Sequence, residues 1–229
     1  LLNGNQTALM FVYYLITRWK ELGKINGKEY IVKTIVTTET IKTIAERNGV
    51  EMYDVYTGFK WIANVMRENE GKKNYIGGGE ESYGFLCEDF VRDKDAVSAC
   101  VILAEIAAWA KDQGLSLYQL LQKIYVEYGF SKEKGISVVK KGKSGAEEIE
   151  AMMKKFRENP LTEIAGSKVT YFYDYSTLKG KDYAENETVT LDMPTTSNVL
   201  QYFTEDNTKV SIRPSGTEPK IKFYCEVHS

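Results

Sequence analysis

The chain has 229 residues, 43% hydrophobic and 27% charged, enough for two ordinary domains with buried cores. Its formal net charge of −2 leaves no basic footprint for nucleic acid, so an anionic ligand must be met by a local cluster. No apolar run reaches membrane-spanning length and no basic-plus-apolar leader opens the chain, so we expect a cytoplasmic protein with no membrane or nucleic-acid partner.

Helical spacing of Leu9, Met10, Tyr13 and Ile16 predicts a helix over 6–20, and the β-branched run at 30–36 predicts a buried strand. Thr38 is the expected N-cap of a helix over 39–48 that stops at Gly49. A short strand at 52–56 and a helix at 61–68 follow. Tyr75 and Ile76 then lead a strand into the glycine run Gly77-Gly78-Gly79. The apolar segment 96–111 predicts a helix closed by Gly114, with Cys100 in the core; Ser116 caps the next helix. The Lys- and Gly-rich stretch 131–145 is the expected hinge, strand-like only at 136–139. Ser144 and Glu147 have capping-box spacing for a helix over 146–157, which Pro160 ends. Strands are predicted at 168–175, 189–193, 199–203, 209–212 and 221–227. We therefore expect an α/β protein. A three-layer α/β domain with a mixed sheet occupies 1–134, and a smaller α+β domain, an antiparallel sheet with helices on one face, occupies 135–229.

Three scattered cysteines argue against a disulfide framework or a zinc site, and the single histidine, His228, stands next to a chain end where disorder is expected. The most specific motif is Arg213-Pro214-Ser215-Gly216-Thr217. A guanidinium, two hydroxyls and loop amides around a glycine suit a dianion, and Lys220 and Lys222 add positive charge. A plain β-turn accounts for the Pro and Gly but leaves the Arg, hydroxyls and lysines without a role. The second motif is Gly79-Glu80-Glu81-Ser82, whose carboxylates suit vicinal sugar hydroxyls beside a backbone that a ligand can approach closely. Paired glutamates also fit a glycosidase, although adjacent side chains diverge. Gly142-Lys143-Ser144 imitates a P-loop, but Ser137 stands where its first glycine belongs.

Gly-Glu-x-Ser followed by Arg-Pro-Ser-Gly-Thr resembles the α-D-phosphohexomutase superfamily, in its phosphoglucomutase/phosphomannomutase branch. The resemblance covers essentially the whole chain and matches the family's third domain at 1–134 and its fourth at 135–229. It implies that Glu80 and Ser82 bind the sugar, helped by Thr57, Gly58 and Lys60 of a second loop and by Lys94 of the Arg92–Asp95 stretch. It implies that Arg213, Ser215, Gly216, Thr217 and Lys222 bind phosphate, with Lys222 where some relatives carry an Arg. The activity implied is interconversion of hexose 1-phosphate and hexose 6-phosphate through hexose 1,6-bisphosphate, with Mg2+ as cofactor. The family's Ser-His-Asn-Pro phosphoserine loop and Asp-rich Mg2+ loop have no counterpart here, so we expect no catalytic residue and no metal ligand in this chain. A start inside a helical pattern and a stop just after a strand lead us to expect a piece of a longer protein whose N-terminal domains are partners, the fourth domain itself being cut short. Alternatives are a stand-alone sugar-phosphate-binding module and a phosphopentomutase-type relative.

Overall fold

A computed structural model describes residues 1–140, 142–216 and 218–229, without the side chain of residue 143. The chain divides into two units, Leu1–Ser131 and Lys132–Ser229. The expected boundary at 134/135 falls instead inside a strand.

The first unit runs α1 (Gly4–Glu21), β1 (Glu29–Thr34), α2 (Thr40–Arg47), β2 (Glu51–Val55), α3 (Phe59–Asn69), β3 (Asn74–Gly79), β4 (Phe85–Cys87), α4 (Ala96–Asp112) and α5 (Leu117–Tyr128). A capping box starts α1: the Gln6 N–H donates to Asn3 Oδ1 at 2.8 Å, and the Asn3 N–H donates to Gln6 Oε1 at 3.0 Å. Ser116 and Gln119 repeat the arrangement at α5. The sheet order is β2-β1-β3-β4, with β1, β2 and β3 parallel and β4 antiparallel to β3. Side chains alternate across β1. Ile31 joins a core with α1, α2, α4 and α5, while Tyr30 and Val32 join a second core with α3. This is the expected three-layer arrangement with a mixed sheet.

The second unit is built from β5 (Ser131–Val139), α6 (Gly142–Glu158), β6 (Glu163–Ile164), β7 (Ser167–Asp174), β8 (Lys179–Asp182), β9 (Glu187–Thr190), β10 (Leu200–Thr204), β11 (Lys209–Pro214) and β12 (Lys220–His228). The sheet order is β5-β12-β11-β10-β7-β8-β9, with β6 on β7. Ile149 and Met153 of α6 pack on Val210, Ile212, Leu200, Tyr202 and Ile221 from the strands. The antiparallel sheet thus carries α6 on one face.

Several local expectations need correction. The strand expected to lead into the glycine run continues through it: Gly77, Gly78 and Gly79 are buried β-residues within β3. The expected hinge is the nine-residue strand β5, because pairing with β12 overrides its polar composition. Helix α6 begins at Gly142, so Ser144 lies within it and caps nothing. Cys100 is exposed, since α4 turns only Ile106 and Ala110 fully inward. His228 closes β12 rather than fraying from it. The N-cap of α2 is Glu39, although Thr38 Oγ1 still accepts the Thr40 N–H at 3.4 Å.

The glycines of β3 are sterically required. A Cβ on Gly78 would sit 2.2 Å from the Val32 carbonyl oxygen, and one on Gly79 would sit 2.5 Å from that of Gly84. Around Gly216 nothing lies within 4 Å of the same construction. Gly78→Ala should therefore cost about 1–3 kcal/mol of stability by overpacking in urea denaturation. Gly216→Ala should stay within about 0.5 kcal/mol.

Candidate functional site

In the first unit the candidate residues gather where the parallel strands end, the edge at which open α/β sheets bind ligands. β3 delivers Glu80 directly after its last glycine, and Glu80 is only 9% exposed. Its Oε1 accepts the Gly58 N–H at 2.7 Å, which ties the loop after β3 to the loop between β2 and α3. Gly58 has φ 111° as the residue that starts α3, a conformation that a side chain would strain. The Glu80 N–H donates to the Gly84 carbonyl at 2.8 Å, closing 80–84 into a tight turn. Tyr83 takes a left-handed φ of 70° within that turn, and its hydroxyl donates to the Leu2 carbonyl at 3.0 Å. Glu81 diverges from Glu80, and its Oε2 accepts the Thr34 hydroxyl at 3.4 Å.

Lys94 joins this group from the stretch before α4. Its Nζ stands 5.8 Å from the centre of the Phe59 ring, and a Cβ on Gly84 would meet both Lys94 Cδ and Glu80 Oε2. Ser82 is exposed and shares a cavity of 380 Å³ with Lys94. Asp93 pairs with Lys94 at 3.2 Å. Asp95 caps α4 by accepting the Ser98 N–H at 2.7 Å, and the hydrogen bonds from Ser98 hold its carboxyl below the usual range. Thr57, Gly58, Glu80, Ser82 and Lys94 thus come from three loops at one edge of the sheet. Lys60 differs: it is exposed on α3, with Nζ 5.1 Å from the Trp61 ring centre.

Sequence reasoning overlooked the carboxyl end of β1 itself. Thr34 and Thr37 share a hydroxyl hydrogen bond of 2.8 Å, and Lys33 reaches Glu39 and Asp54 beside them. The only signal was a lysine inside a β-branched run followed by paired threonines.

In the second unit, Arg213 is the penultimate residue of β11 and Lys222 is its register partner on β12. Ile212, Ile221 and Phe223 pack toward α6, so alternation puts Arg213 and Lys222 together on the opposite face. Two cations side by side on one face repel each other. Arg213 forms no ion pair among the described residues, and the Lys222 ammonium stands 5.8 Å from the Tyr224 ring centre. Lys220 is different: it pairs with Glu218, and that hydrogen bond holds the Glu218 carboxyl below its usual range. Lys220 therefore adds less free positive charge than the sequence suggested. The Ser215 N–H donates to the Lys220 carbonyl at 2.8 Å, and Ser215 Oγ accepts the Glu218 N–H at 3.3 Å. Gly216 is exposed and uncrowded, which leaves its backbone approachable. On the α6 side, Ser215 and Gly216 border a cavity of 780 Å³ floored by Ile149 and Met153. Thr217 lies outside the described residues. Among the described residues no group of three or more His, Cys, Asp or Glu stands together as a metal-ligand cluster.

Residues 3–128 match the family model of phosphoglucomutase/phosphomannomutase alpha/beta/alpha domain III, and residues 137–229 match the C-terminal domain of the same family. The chain is 38% identical over 225 residues to a phosphoglucomutase of Staphylococcus aureus (strain bovine RF122 / ET3-1), covering 98% of this chain and 40% of that protein. It is 34% identical over the same span to a phosphoglucomutase of Staphylococcus haemolyticus (strain JCSC1435), again covering 98% and 40%. The chain thus spans about 40% of the length of the curated relatives it matches. Its fold resembles parafusin, a phosphoglucomutase from Paramecium, with TM-score 0.63, 16% identity, and coverage of 100% of this chain and 37% of that one. It also resembles a phosphoglucomutase/phosphomannomutase family protein from Burkholderia thailandensis, with TM-score 0.59, 17% identity, and coverage of 100% and 38%.

The Glu80–Gly58 contact is a charged hydrogen bond of a kind worth about 1.5–3 kcal/mol. Glu80→Ala should therefore speed amide exchange at Gly58 by roughly 10–100-fold, because each 1.4 kcal/mol is about tenfold. Glu80→Gln keeps an acceptor oxygen and should retain most of the protection.

Proposed function

The chain belongs to the phosphoglucomutase/phosphomannomutase family, and on that premise we propose that it supplies the substrate-binding loops of an isomerase that moves phosphate between the 1- and 6-positions of a hexose. Arg213 beside Lys222 is the observation that carries this reading. Two cations on one sheet face, with no ion-paired carboxylate among the described residues, are an unfavourable arrangement, and a phosphate dianion would relieve it. Arg213 binds the phosphate through its planar fork, Lys222 adds a point charge, and Ser215 and Gly216 offer a hydroxyl and a backbone N–H. Thr217 belongs to the same loop by its place in the motif.

The first unit binds the sugar. Glu80 already spends Oε1 on Gly58 and keeps Oε2 as an acceptor for a ring hydroxyl. Ser82 and Lys94 offer donors from the same edge of the sheet, with Thr57 beside Gly58. Lys60 contributes an exposed cation from α3. The reaction passes through hexose 1,6-bisphosphate, so the loops must accept the sugar in two orientations, which a few polar contacts permit better than a fitted apolar wall.

Phosphoryl transfer is positioning plus stabilisation of dispersed negative charge. This chain positions, while the phosphoserine and the Mg2+ that assists transfer belong to the remainder of the parent protein, which acts in the cytoplasm. The sequence of this chain holds no Ser-His-Asn-Pro segment.

Calorimetric titration with glucose 1-phosphate tests the phosphate assignment. Arg213→Ala should weaken binding about 10–100-fold, the worth of a charged hydrogen-bonded contact. Lys222→Ala should cost less and lose its effect at high salt, as expected for an exposed point charge. Undiminished affinity in Arg213→Ala would remove the assignment. The purified chain should show no mutase turnover at any Mg2+ concentration, and robust turnover would overturn the division of labour.

A further inference from the structure

Resting on the assignment of the 57–60 and 80–82 loops to the sugar, we propose that Lys33 is the positioning residue that sets the geometry of that site. Lys33 stands next to the last residue of β1, the central parallel strand, in register with Asp54 of β2 on one side and Gly79 of β3 on the other. Its side chain is 1% exposed. Its Nζ donates to Asp54 Oδ1 at 2.7 Å and to Glu39 Oε1 at 3.1 Å. A third approach, to the Thr37 carbonyl, is 3.5 Å.

These contacts join the roots of separate loops. Asp54 precedes Thr57 and Gly58, whose N–H donates to Glu80. Glu39 precedes α2 and follows Thr37 and Thr38, so the same ammonium fixes the turn that leaves β1. Gly79 lies beside Lys33 in the sheet and delivers Glu80. The path from Lys33 through Asp54 to Gly58 and on to Glu80 closes a ring around the edge of the sheet. An ammonium out of water needs its charge matched, so it holds carboxylates in place more firmly than a surface pair does. An apolar side chain at this position would satisfy packing without that demand, so the cation makes sense as a geometric clamp. Lys33 does not touch the ligand in this account. It acts through Gly58 and Glu80.

The test is 15N NMR on this chain with Lys33→Met, Lys33→Arg and Asp54→Asn variants, titrated with glucose 1-phosphate and separately with inorganic phosphate. Lys33→Met and Asp54→Asn should each displace the Gly58 amide resonance and weaken glucose 1-phosphate binding about tenfold, as small misplacements of binding groups do. Binding of inorganic phosphate should be unchanged, because it depends on the Arg213 loop. Lys33→Arg keeps the cation and should preserve both the resonance and the affinity. If Lys33→Met does not fold, Asp54→Asn decides alone, since that side chain is 35% exposed. A folded variant whose Gly58 amide does not move, or whose glucose 1-phosphate affinity survives, overturns the proposal. If the wild-type chain binds inorganic phosphate but gains nothing from the sugar, the sugar assignment fails. The Gly58 amide response then still decides whether Lys33 positions this loop.

Discussion

The first unit depends on the absence of side chains at the end of β3. Gly77, Gly78 and Gly79 are buried within the sheet, and a Cβ at any of them would crowd a neighbour. The chain can therefore run closely beside β1 and turn back through Gly84 immediately after Glu80. That turn brings a carboxylate that is only 9% exposed to the edge of the sheet without a long loop. Loops at such an edge usually bring mobility with them. Here the Glu80 carboxylate binds the Gly58 amide, the Glu80 amide binds the Gly84 carbonyl, and Tyr83 reaches Leu2. A flexible composition has produced a fixed turn.

This explains what could be read in the sequence and what could not. The parallel alternation of strands and helices was legible because amphipathic spacing and β-branched runs report burial directly. The Arg213 and Glu80 motifs stand out in the sequence because their residue types have few joint structural uses. That the strand continues through the glycine run was not legible, since glycine's usual association with turns hides the case in which close strand contact needs it. β5 was misjudged because a polar strand gains its stability from pairing with β12, which local composition does not reveal. Lys33 went unnoticed for a related reason. A lysine in a strand reads as solvent-facing until its register partner is known to be a carboxylate.

The contrast between cations with and without an ion-paired carboxylate among the described residues separates the scaffold from the proposed binding surface. Lys33 meets Asp54 and Glu39, Lys209 meets Glu226 at 3.0 Å, and Arg157 meets Asp174 at 3.1 Å. The Lys209–Glu226 pair and the Arg213–Lys222 pair occupy the same two strands and the same sheet face, four register positions apart. One pair matches opposite charges and is nearly inaccessible, while the other sets like charges together at the rim. A strand pair selected only for stability would match charges at both places, because cross-strand like charges are costly. The arrangement at 213 and 222 gives up that stabilisation at one end of a ladder whose other end obeys the rule. With a net charge of −2, the molecule has no general excess of cations to explain the local surplus. An anion supplied from outside, as proposed for the phosphate of the sugar, would restore the balance that the sheet withholds. The same reasoning limits what the turn contributes. Lys220 is already matched by Glu218 inside the turn, so the proposed anion affinity would rest on strand residues that the ladder holds in register.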